Sequence, residues 1–511
     1  MKKRSIALSA AIGCVAMIVP GCQISGKSGA EAEVKQPNIV IIYADDLGYG
    51  DVSAYGVGEL NTPNMDRIAH EGIRFENGYA TSATCTPSRF SLLTGQYPWR
   101  NDRAQVLPGD APLLIDPAQP TLPKMLQAAG YETAVVGKWH LGLGAGNTNW
   151  NQQVRPNAND VGFDYTYIMA ATNDRVPNVF VENGNVVGLE SNDPLEVSYR
   201  KNFEGEPTGK ANPELLKMMY SHGHDMSINN GISRIGYQRG GKSAQWIDEN
   251  MADTFLVRAQ QFVKIKRDKP FFLFYTLHQP HVPRVPHSRF AGTTGMGPRG
   301  DVIAEADWCI GEFLKTLEEE GVLENTLIIF SSDNGPVLDD GYVDDAAEKV
   351  GDHTPGGMLR GGKYSLYDAG TRIPLMVMWK GKIKPAVSKA IVSQVDLFAS
   401  LAQLAGQPLP ENDSKNLVDA FLGKSQNGRE SVVIEGLGHR TAFRKGDWVL
   451  IPPYKGSKMV PWGVDTETGF GYDVQLYNIK EDVGQANDLA SERPEKVDEL
   501  MQEYQAILNK Q

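Results

Sequence analysis

The sequence predicts an α/β fold: a large, mainly parallel sheet sandwiched by helices, with a smaller C-terminal α+β subdomain carrying an antiparallel sheet. Three observations carry that expectation. Apolar runs of strand length recur without polar interruption, the pattern of strands buried on both faces. Helical patterns lie between several of them, the order that builds a sheet with helices on both sides. From about Asn427 the texture changes to short strands separated by turn residues, closed by one helical stretch.

The chain of 511 residues opens with MKKRSIALSAAIGCVAMIVPGC. A basic start, an apolar run and small residues make an export signal over residues 1–21 rather than a fold element. The run from Ile6 to Val19 is short for a membrane span. Its end, VPGC, resembles a bacterial lipobox, which would make Cys22 the lipidated first residue of the mature protein; cleavage nearby without lipidation is the alternative. Residues 22–36 read as a flexible tether. The main domain, 37–426, then begins with PNIVIIYADDLGYGD, a buried strand between Pro-Asn and Asp-Asp. Later strands are ETAVVGKWH, PFFLFYTLH, NTLIIFSSDNG and IPLMVMW. The helices are TPNMDRIAHEG, TLPKMLQAAG, DTFLVRAQQFVKIK and DVIAEADWCIGEFLKTLEEEG. In the subdomain, 427–511, SVVIEG, RTAFRKGDWVLIP and VQLYNIKED are strands, and RPEKVDELMQEYQAILNKQ is the closing helix.

The formal charge is −12. Loss of Lys2, Lys3 and Arg4 with the leader takes three positive charges away, to about −15. An acidic surface argues against a nucleic-acid partner, but local cations in a cleft could still hold an anionic substrate. Four cysteines occur. Cys14 leaves with the leader and Cys22 would carry the lipid. Cys85 and Cys309 could pair in an oxidising compartment. Cys309 lies in an amphipathic helix, where a buried inert thiol is common. Cys85 would then be alone, and an unpaired thiol in an exported protein needs a reason.

In sheets of this kind ligands bind beyond the carboxyl ends of the strands. Four strand ends carry polar groups: Asp45–Asp46, Lys138–His140, His278–His281 and Asp333–Asn334. Asp45, Asp46, Asp333 and Asn334 offer three carboxylates and an amide, a donor set for a hard divalent cation. No cluster with zinc spacing appears. Alternation in GKWHLG puts Lys138 and His140 on one face of an extended segment. In TCTPSRFSLLTG, Thr86 suits an N-cap, Pro87 the first helical position and Gly95 the stop. Cys85 would then sit at a helix N-terminus, with Arg89 one turn in, a setting that favours anions and fits a thiolate nucleophile as well.

CTPSRFSLLTG closely resembles the signature of the formylglycine-dependent type I sulfatases, Cys-x-Pro-x-Arg followed by Leu-Thr-Gly. NIVIIYADDLGYGD resembles the family's first metal strand, and GKWHLG, HQPHVP, SSDNG, RGGKYSLYDAGTRIP and LYNIKEDVGQANDLA resemble its later blocks in the same order, over roughly Pro37 to Ala490. One departure is YDAGTR, where many members have Glu-Gly-Gly after the aromatic residue. The resemblance implies an alkaline-phosphatase-like fold and a sulfuric ester hydrolase. It implies that a formylglycine-generating enzyme converts Cys85 to formylglycine (3-oxoalanine). In the hydrated aldehyde one hydroxyl attacks sulfur, and the other lets sulfate leave by C–O cleavage, so that water never attacks sulfur. It further implies Ca²⁺, held by Asp45, Asp46, Asp333, Asn334 and the modified Cys85. Arg89, Lys138, His140, His281 and Lys363 match its sulfate-binding and proton-transfer positions. His140 matches the base, Asp333 the group assisting the attacking hydroxyl, and His281 and Lys363 the candidate acids.

Specificity is expected in the loops AATNDRVPNVFVENG and DDGYVDDAAEKVGDHTPGGMLRGG. Asn173, Asp174, Arg175, His278, Arg284 and His353 are polar groups able to hold sugar hydroxyls; His278 could instead be a histidine packed at the strand end. The stretch HVPRVPHSRFAGTTGMGPRGDVIAEADW resembles bacterial sulfatases acting on sulfated glycans, and points to 6-O-sulfated galactose or N-acetylgalactosamine. Two other readings stand beside it. One is a phosphodiesterase or phosphonate monoester hydrolase of the same superfamily. The other is a non-catalytic, glycan-binding surface lipoprotein. The expected location is outside the cytoplasm of a bacterium, periplasmic or tethered to the outer membrane by lipid alone.

Overall fold

The computed structural model describes residues 36–56, 59–409 and 411–510. The leader, Cys22 and the tether up to residue 35 lie outside the described residues. Among the described residues no helix is long and apolar enough to cross a membrane.

A ten-stranded sheet forms the centre. Its strands are β1 (Asn38–Ala44), β2 (Ile73–Tyr79), β3 (Glu132–Lys138), β4 (Tyr165–Met169), β5 (Phe180–Glu182), β6 (Asn185–Val186), β7 (Phe271–Thr276), β8 (Thr326–Ser332), β9 (Leu375–Met378) and β10 (Ala386–Ser393). Their spatial order is β10-β2-β9-β8-β1-β7-β3-β4-β5-β6. The segment β8-β1-β7-β3-β4 is parallel throughout. In β1 every residue is buried, and alternate side chains enter opposite cores. Ile39, Ile41 and Tyr43 join one, while Val40, Ile42 and Ala44 join the other. This is why the strand reads as continuously apolar rather than alternating.

Helices cover both faces. On the first, α2 (Cys85–Thr94), α3 (Leu122–Ala128) and α6 (Leu397–Leu404) contribute Phe90, Leu126 and Phe398. On the second, α1 (Pro63–His70), α4 (Met251–Lys264) and α5 (Gly297–Glu319) contribute Ile68, Phe255 and Ile310. Cys309 is buried in α5 and unpaired, and burial pushes its thiol well above the usual value, so it is an inert packing residue.

Two expectations are corrected. The apolar run of β9 looked like the other core strands, but β9 is antiparallel to both neighbours. The chain leaves β8 at the edge that carries the polar strand ends, stays there through Lys363 and enters β9 from the same edge. An apolar run reports burial on both faces, not direction. The helix of the cysteine motif also begins earlier, at Cys85 itself, with Thr84 as the extended residue before it. Thr86 lies inside the helix rather than at its cap, and its hydroxyl donates to the His140 carbonyl at 2.9 Å.

A separate four-stranded antiparallel sheet follows: β11 (Ser431–Glu435), β12 (Thr441–Lys445), β13 (Trp448–Ile451) and β14 (Gln475–Asn478). The closing helix, α7 (Pro494–Leu508), covers one face through Leu500 and Tyr504 against Phe443 and Leu450. The other face packs Val432 and Ile434 against Tyr79 at the end of β2. The β11 backbone also bonds the segment before Cys85, with Ala83 N–H donating to the Glu435 carbonyl at 2.6 Å.

Candidate active site

Because β8, β1, β7 and β3 are adjacent and parallel, their carboxyl ends bring Asp333–Asn334, Asp45–Asp46, His278–His281 and Lys138–His140 to one edge. The backbone there is bent for the purpose. Asp46 has φ 64°, His140 φ 55° and Tyr364 φ 76°, left-handed values that cost free energy in non-glycine residues and gather at functional sites. The extended reading of GKWHLG therefore fails after Lys138. The strand ends there, and His140 arrives by a left-handed turn. Gly137 makes this possible: at φ 119°, a Cβ would fall 1.7 Å from the Thr276 carbonyl.

The buried charges form an interlocked set. Lys138 Nζ lies 2.6 Å from Asp45 Oδ1. Arg89 reaches Asp333 at 2.8 Å and also donates to the Lys138 carbonyl at 3.0 Å. Lys363 bridges Asp46 and Asp340, at 2.8 Å each. Asn334 donates to Asp46 at 2.7 Å. Burial pushes the Asp45 carboxyl well above its usual range, with Lys138 opposing. Burial disfavours charge on Lys363, but Asp340 and Asp46 hold its pKa well above the ordinary value.

Two oxygens in this set have no partner. Asp45 Oδ2 and Asn334 Oδ1 are buried without a hydrogen bond. Each such group costs about 1–3 kcal/mol. Asn334 spends both amide hydrogens on Asp46 and Gly335, which fixes its oxygen as the free end. Orphaned hard oxygens beside the carboxylates of Asp46 and Asp333 fit a divalent cation such as Ca²⁺. His281 belongs to the same neighbourhood, its ligand atom within 4.8 Å of those of Asp45 and Asp46.

Cys85 is buried, and burial pushes its thiol up, outweighing Lys138 and Lys363. The thiolate that the helix terminus would favour is therefore not the form this environment stabilises. His140 faces it, with Nδ1 3.2 Å from Sγ. The other ring nitrogen, Nε2, donates to the Leu107 carbonyl at 2.9 Å, which leaves Nδ1 as the lone-pair nitrogen. Burial and Lys138 hold the ring neutral, well below the usual histidine pKa. His281 is also neutral, for burial and Lys363 act in the same direction. It donates from Nδ1 to the Val282 carbonyl at 2.6 Å, so Nε2 is its acceptor. The arrangement offers a proton acceptor at residue 85, a ring of cations for an anion and a place for a metal.

The family model described as sulfatase matches residues 37–407. The chain belongs to the sulfatase family. It is a sulfuric ester hydrolase. An N-acetylgalactosamine-6-O-sulfatase of Bacteroides thetaiotaomicron is 48% identical to it over 494 residues, covering 96% of both chains. Human arylsulfatase A is 32% identical over 413 residues, covering 78% of this chain and 71% of its own. A solved structure from work on glycosaminoglycan metabolism by Bacteroides thetaiotaomicron superposes with a TM-score of 0.92, at 49% identity, over 93% of this chain and 100% of that one.

Above Cys85 the sulfatase site opens into a cavity of about 280 Å³. Its polar wall holds Asp174, Arg175, His224, His281, Lys363 and Asp340; its apolar wall includes Ile235, Leu437 and Trp462. Arg175 bonds Asp174 at 3.0 Å, and His224 Nε2 meets the same carboxylate at 2.9 Å. Burial disfavours charge on Asp174, but Arg175 and His224 hold it well below the usual range. Gly341 is obligatory beneath His224, where a Cβ would fall 1.9 Å from the ring.

Of the six residues expected to hold sugar, only Asp174 and Arg175 line the cavity. Arg284 is buried and committed to Asp344, at 2.8 Å, and to the Pro280, Val337 and Leu338 carbonyls. His353 is buried against Asp51 at 2.8 Å, a carboxylate that Arg299 also clamps. Asn173 donates to the Pro283 carbonyl at 3.1 Å and so holds the loop that carries His281. His278 packs near Phe255, and burial lowers its pKa to about 4. Reading loops as exposed concealed the burial of Asn173, Arg284 and His353, whereas His278 lies packed at its strand end, one of the two places weighed for it.

The sequence reading missed Asp340, Tyr364, His222, His224 and Trp462. The pair in SHGHD was the available signal, since a His-x-His unit in a chain of only 9 histidines is uncommon. Trp462, in VPWGV, sits in the β13–β14 connection and is 40% exposed. Its ring meets Tyr364 edge-on, at 5.2 Å and 87°.

Proposed function

We propose that this sulfatase removes 6-O-sulfate from N-acetylgalactosamine or galactose units of sulfated glycans, with a formylglycine made from Cys85 and one Ca²⁺. The observation that carries the catalytic part is the pairing of residue 85 with the lone-pair nitrogen of His140, 3.2 Å away, inside a buried ring of cations. The sugar assignment rests on likeness to the N-acetylgalactosamine-6-O-sulfatase and on a cavity sized for a single pyranose.

Cys85 Sγ stands where a hydroxyl of the hydrated aldehyde would lie. Formylglycine supplies a carbon with two oxygens, one to attack sulfur and one to release sulfate. Asp45, Asp46, Asp333 and Asn334 would hold Ca²⁺, which would polarise the S–O group and acidify a neighbouring hydroxyl. His140 is placed to take a proton at residue 85, and its bond to Leu107 fixes the required tautomer. Lys138, Arg89 and Lys363 offset the charge on sulfate while exclusion of water strengthens each contact. Lys363 and His281 lie toward the cavity, where the leaving oxygen collects a proton. Lys363 carries one as it stands, and an arriving anion favours protonation of His281 by reversing the effect of its lysine neighbours. Asp174, Arg175 and His224 face the sugar hydroxyls, and Trp462 offers its apolar face.

Conversion of Cys85 requires a formylglycine-generating enzyme, and the leader implies export. Lipidation at Cys22 would leave the protein periplasmic or tethered to the outer membrane, a membrane partner through the lipid only. A mass spectrum of the tryptic peptide holding residue 85 tests the modification: a thiol mass in active enzyme would exclude it. Turnover of defined mono-sulfated sugars tests the substrate. The proposal requires 6-O-sulfated N-acetylgalactosamine or galactose to be preferred over 4-O- and 3-O-isomers, and over phosphate esters.

A further inference from the structure

A second pocket, of about 140 Å³, adjoins the catalytic cavity. The two share Val106 and Leu437 as a dividing wall. Beyond the wall lie Thr84, Gln105, Glu435 and His439. His439 is presented by two successive left-handed residues, Gly438 at φ 65° and His439 itself at φ 59°. Strain of this kind persists where surrounding contacts enforce it. Here the enforcing contact is Glu435, whose Oε2 accepts from His439 Nδ1 at 2.9 Å. The other carboxylate oxygen accepts from Ser82 at 3.2 Å. Glu435 is itself buried, and its backbone is bonded to Thr81 and Ala83, directly before Cys85. The imidazole is thus held at a fixed place relative to the catalytic residue.

Its second nitrogen makes only one long contact: Nε2 lies 3.5 Å from the Asp102 carbonyl, at the outer limit of hydrogen-bond distance. His439 keeps 20% of its side-chain surface exposed, and Gln105 beside it is exposed. Glu435 against Nδ1 raises the His439 pKa and favours the imidazolium, whose Nε2–H is then a second donor. Held rigidly over a small pocket, one residue-wall away from a cavity sized for one pyranose, that donor fits an oxygen acceptor on a covalently attached neighbour.

Resting on the sugar-sulfate reading above, we infer that the second pocket takes one polar edge of the sugar unit adjoining the sulfated one, with His439 donating from Nε2 to a hydroxyl or carboxylate oxygen of that unit. A substituent of the sulfated unit that crosses the Val106–Leu437 wall enters this pocket. Units of a longer chain are therefore recognised on both sides of the wall, and Glu435 acts as a positioning residue that aims the ring.

The test compares kcat/KM for a 6-O-sulfated monosaccharide with that for a disaccharide carrying the same sulfated unit. Wild type is expected to prefer the disaccharide. His439→Asn keeps a residue type that tolerates the left-handed backbone but is too short to reach. It should lower the disaccharide-to-monosaccharide ratio about tenfold, the value of one hydrogen bond from a charge-assisted donor. Gln105→Trp, which fills the pocket from an exposed position, should lower the ratio as well. Equal values for the two substrates in wild type, or a ratio unmoved by both variants, overturns the inference and leaves the sulfatase reading standing. Turnover of neither substrate by formylglycine-bearing enzyme overturns the sugar-sulfate reading and this inference with it.

Discussion

Glu305 gives a prediction whose size follows from its surroundings. It lies on α5 and is 2% exposed. Its carboxylate accepts from the His287 backbone at 3.0 Å and from the Gln279 side chain at 3.2 Å, and so anchors both ends of the loop that carries His281. Burial raises its pKa from 4.5 to about 7. The folded state therefore holds this proton more tightly than the unfolded chain does. Below pH 4.5 the group is protonated in both states and contributes no pH dependence. Between 4.5 and 7 the unfolded chain ionises first, and stability falls. Above 7 the loss is complete, at about 3 kcal/mol from a shift of 2.5 units. Glu305→Gln removes that titration. Its oxygen still accepts from His287, and its new amide can meet Gln279, whose own Oε1 has no partner now. Relative to wild type, the variant should thus gain about 2.5 kcal/mol between pH 5 and pH 8, the first part of the loss falling below pH 5. With unfolding entropy near 2 cal/mol/K per residue, a chain of this length moves roughly 1 °C per kcal/mol, so the difference in Tm should widen by about 2.5 °C. Thermal scans of both proteins at the two pH values provide the comparison. Asp307, raised to about 6, titrates in both and cancels. A constant difference, or a variant that loses ground at pH 8, refutes the reasoning, because the carboxylate would then be stabilised in the fold rather than penalised.

Three further outcomes are expected. Asp340→Asn removes one of the two carboxylates holding Lys363, and should lower kcat/KM about 10–100-fold, the worth of a charge-assisted bond; steady-state kinetics on a 6-O-sulfated sugar reads it. Chelation should lower Tm, with recovery on adding Ca²⁺ by about 2.7 kcal/mol at a hundred times its Kd, and Asp45→Asn should abolish most of that recovery in calorimetry. Trp462→Ala should raise KM for the sugar sulfate about tenfold, with kcat changing less, since a ring 40% exposed at the mouth is placed to bind rather than to react.

The strand ends were legible because a buried parallel strand must stop before its polar residues, and adjacent strands stop at one edge. Asp45, Asp46, Lys138, His140, Asp333 and Asn334 lie within two positions of such ends, so order along the chain became position in space; Arg89, His281 and Lys363 lie farther from them, and their roles came from the family resemblance. The sugar side was not legible in this way. Asp340 and Tyr364 belong to the long connection between β8 and β9, His224 to the connection between β6 and β7, and Trp462 to the C-terminal part. Their meeting depends on how loops cross the edge, and no period in the sequence encodes that path. Arg284 and His353 mislead for the same reason. A charged loop residue reads as surface until Asp344 or Asp51, distant in sequence, turns out to be its partner.

The charges in the site also argue for what must bind there. Asp45, Asp46, Asp333 and Asp340 are buried with three cations, Arg89, Lys138 and Lys363. His140 and His281 are held neutral, and the Asp174–Arg175 pair cancels. With its carboxylates ionised, the set carries one net negative charge, which alone would repel a sulfate ester. Buried charge of either sign is costly when uncompensated. A divalent cation at the orphaned oxygens changes the sum to one positive charge, and a single sulfate half-ester brings it to zero. A monovalent ion would stop at zero before the ester arrived. The number of carboxylates thus ties metal valence to substrate charge: removing one, as in Asp45→Asn, should weaken the metal, whereas removing a cation, as in Lys138→Met, should weaken the anion. Titrations of Ca²⁺ and of inorganic sulfate against the two variants separate these effects, and equal losses of both ligands in both variants would show that the charges do not act in this way.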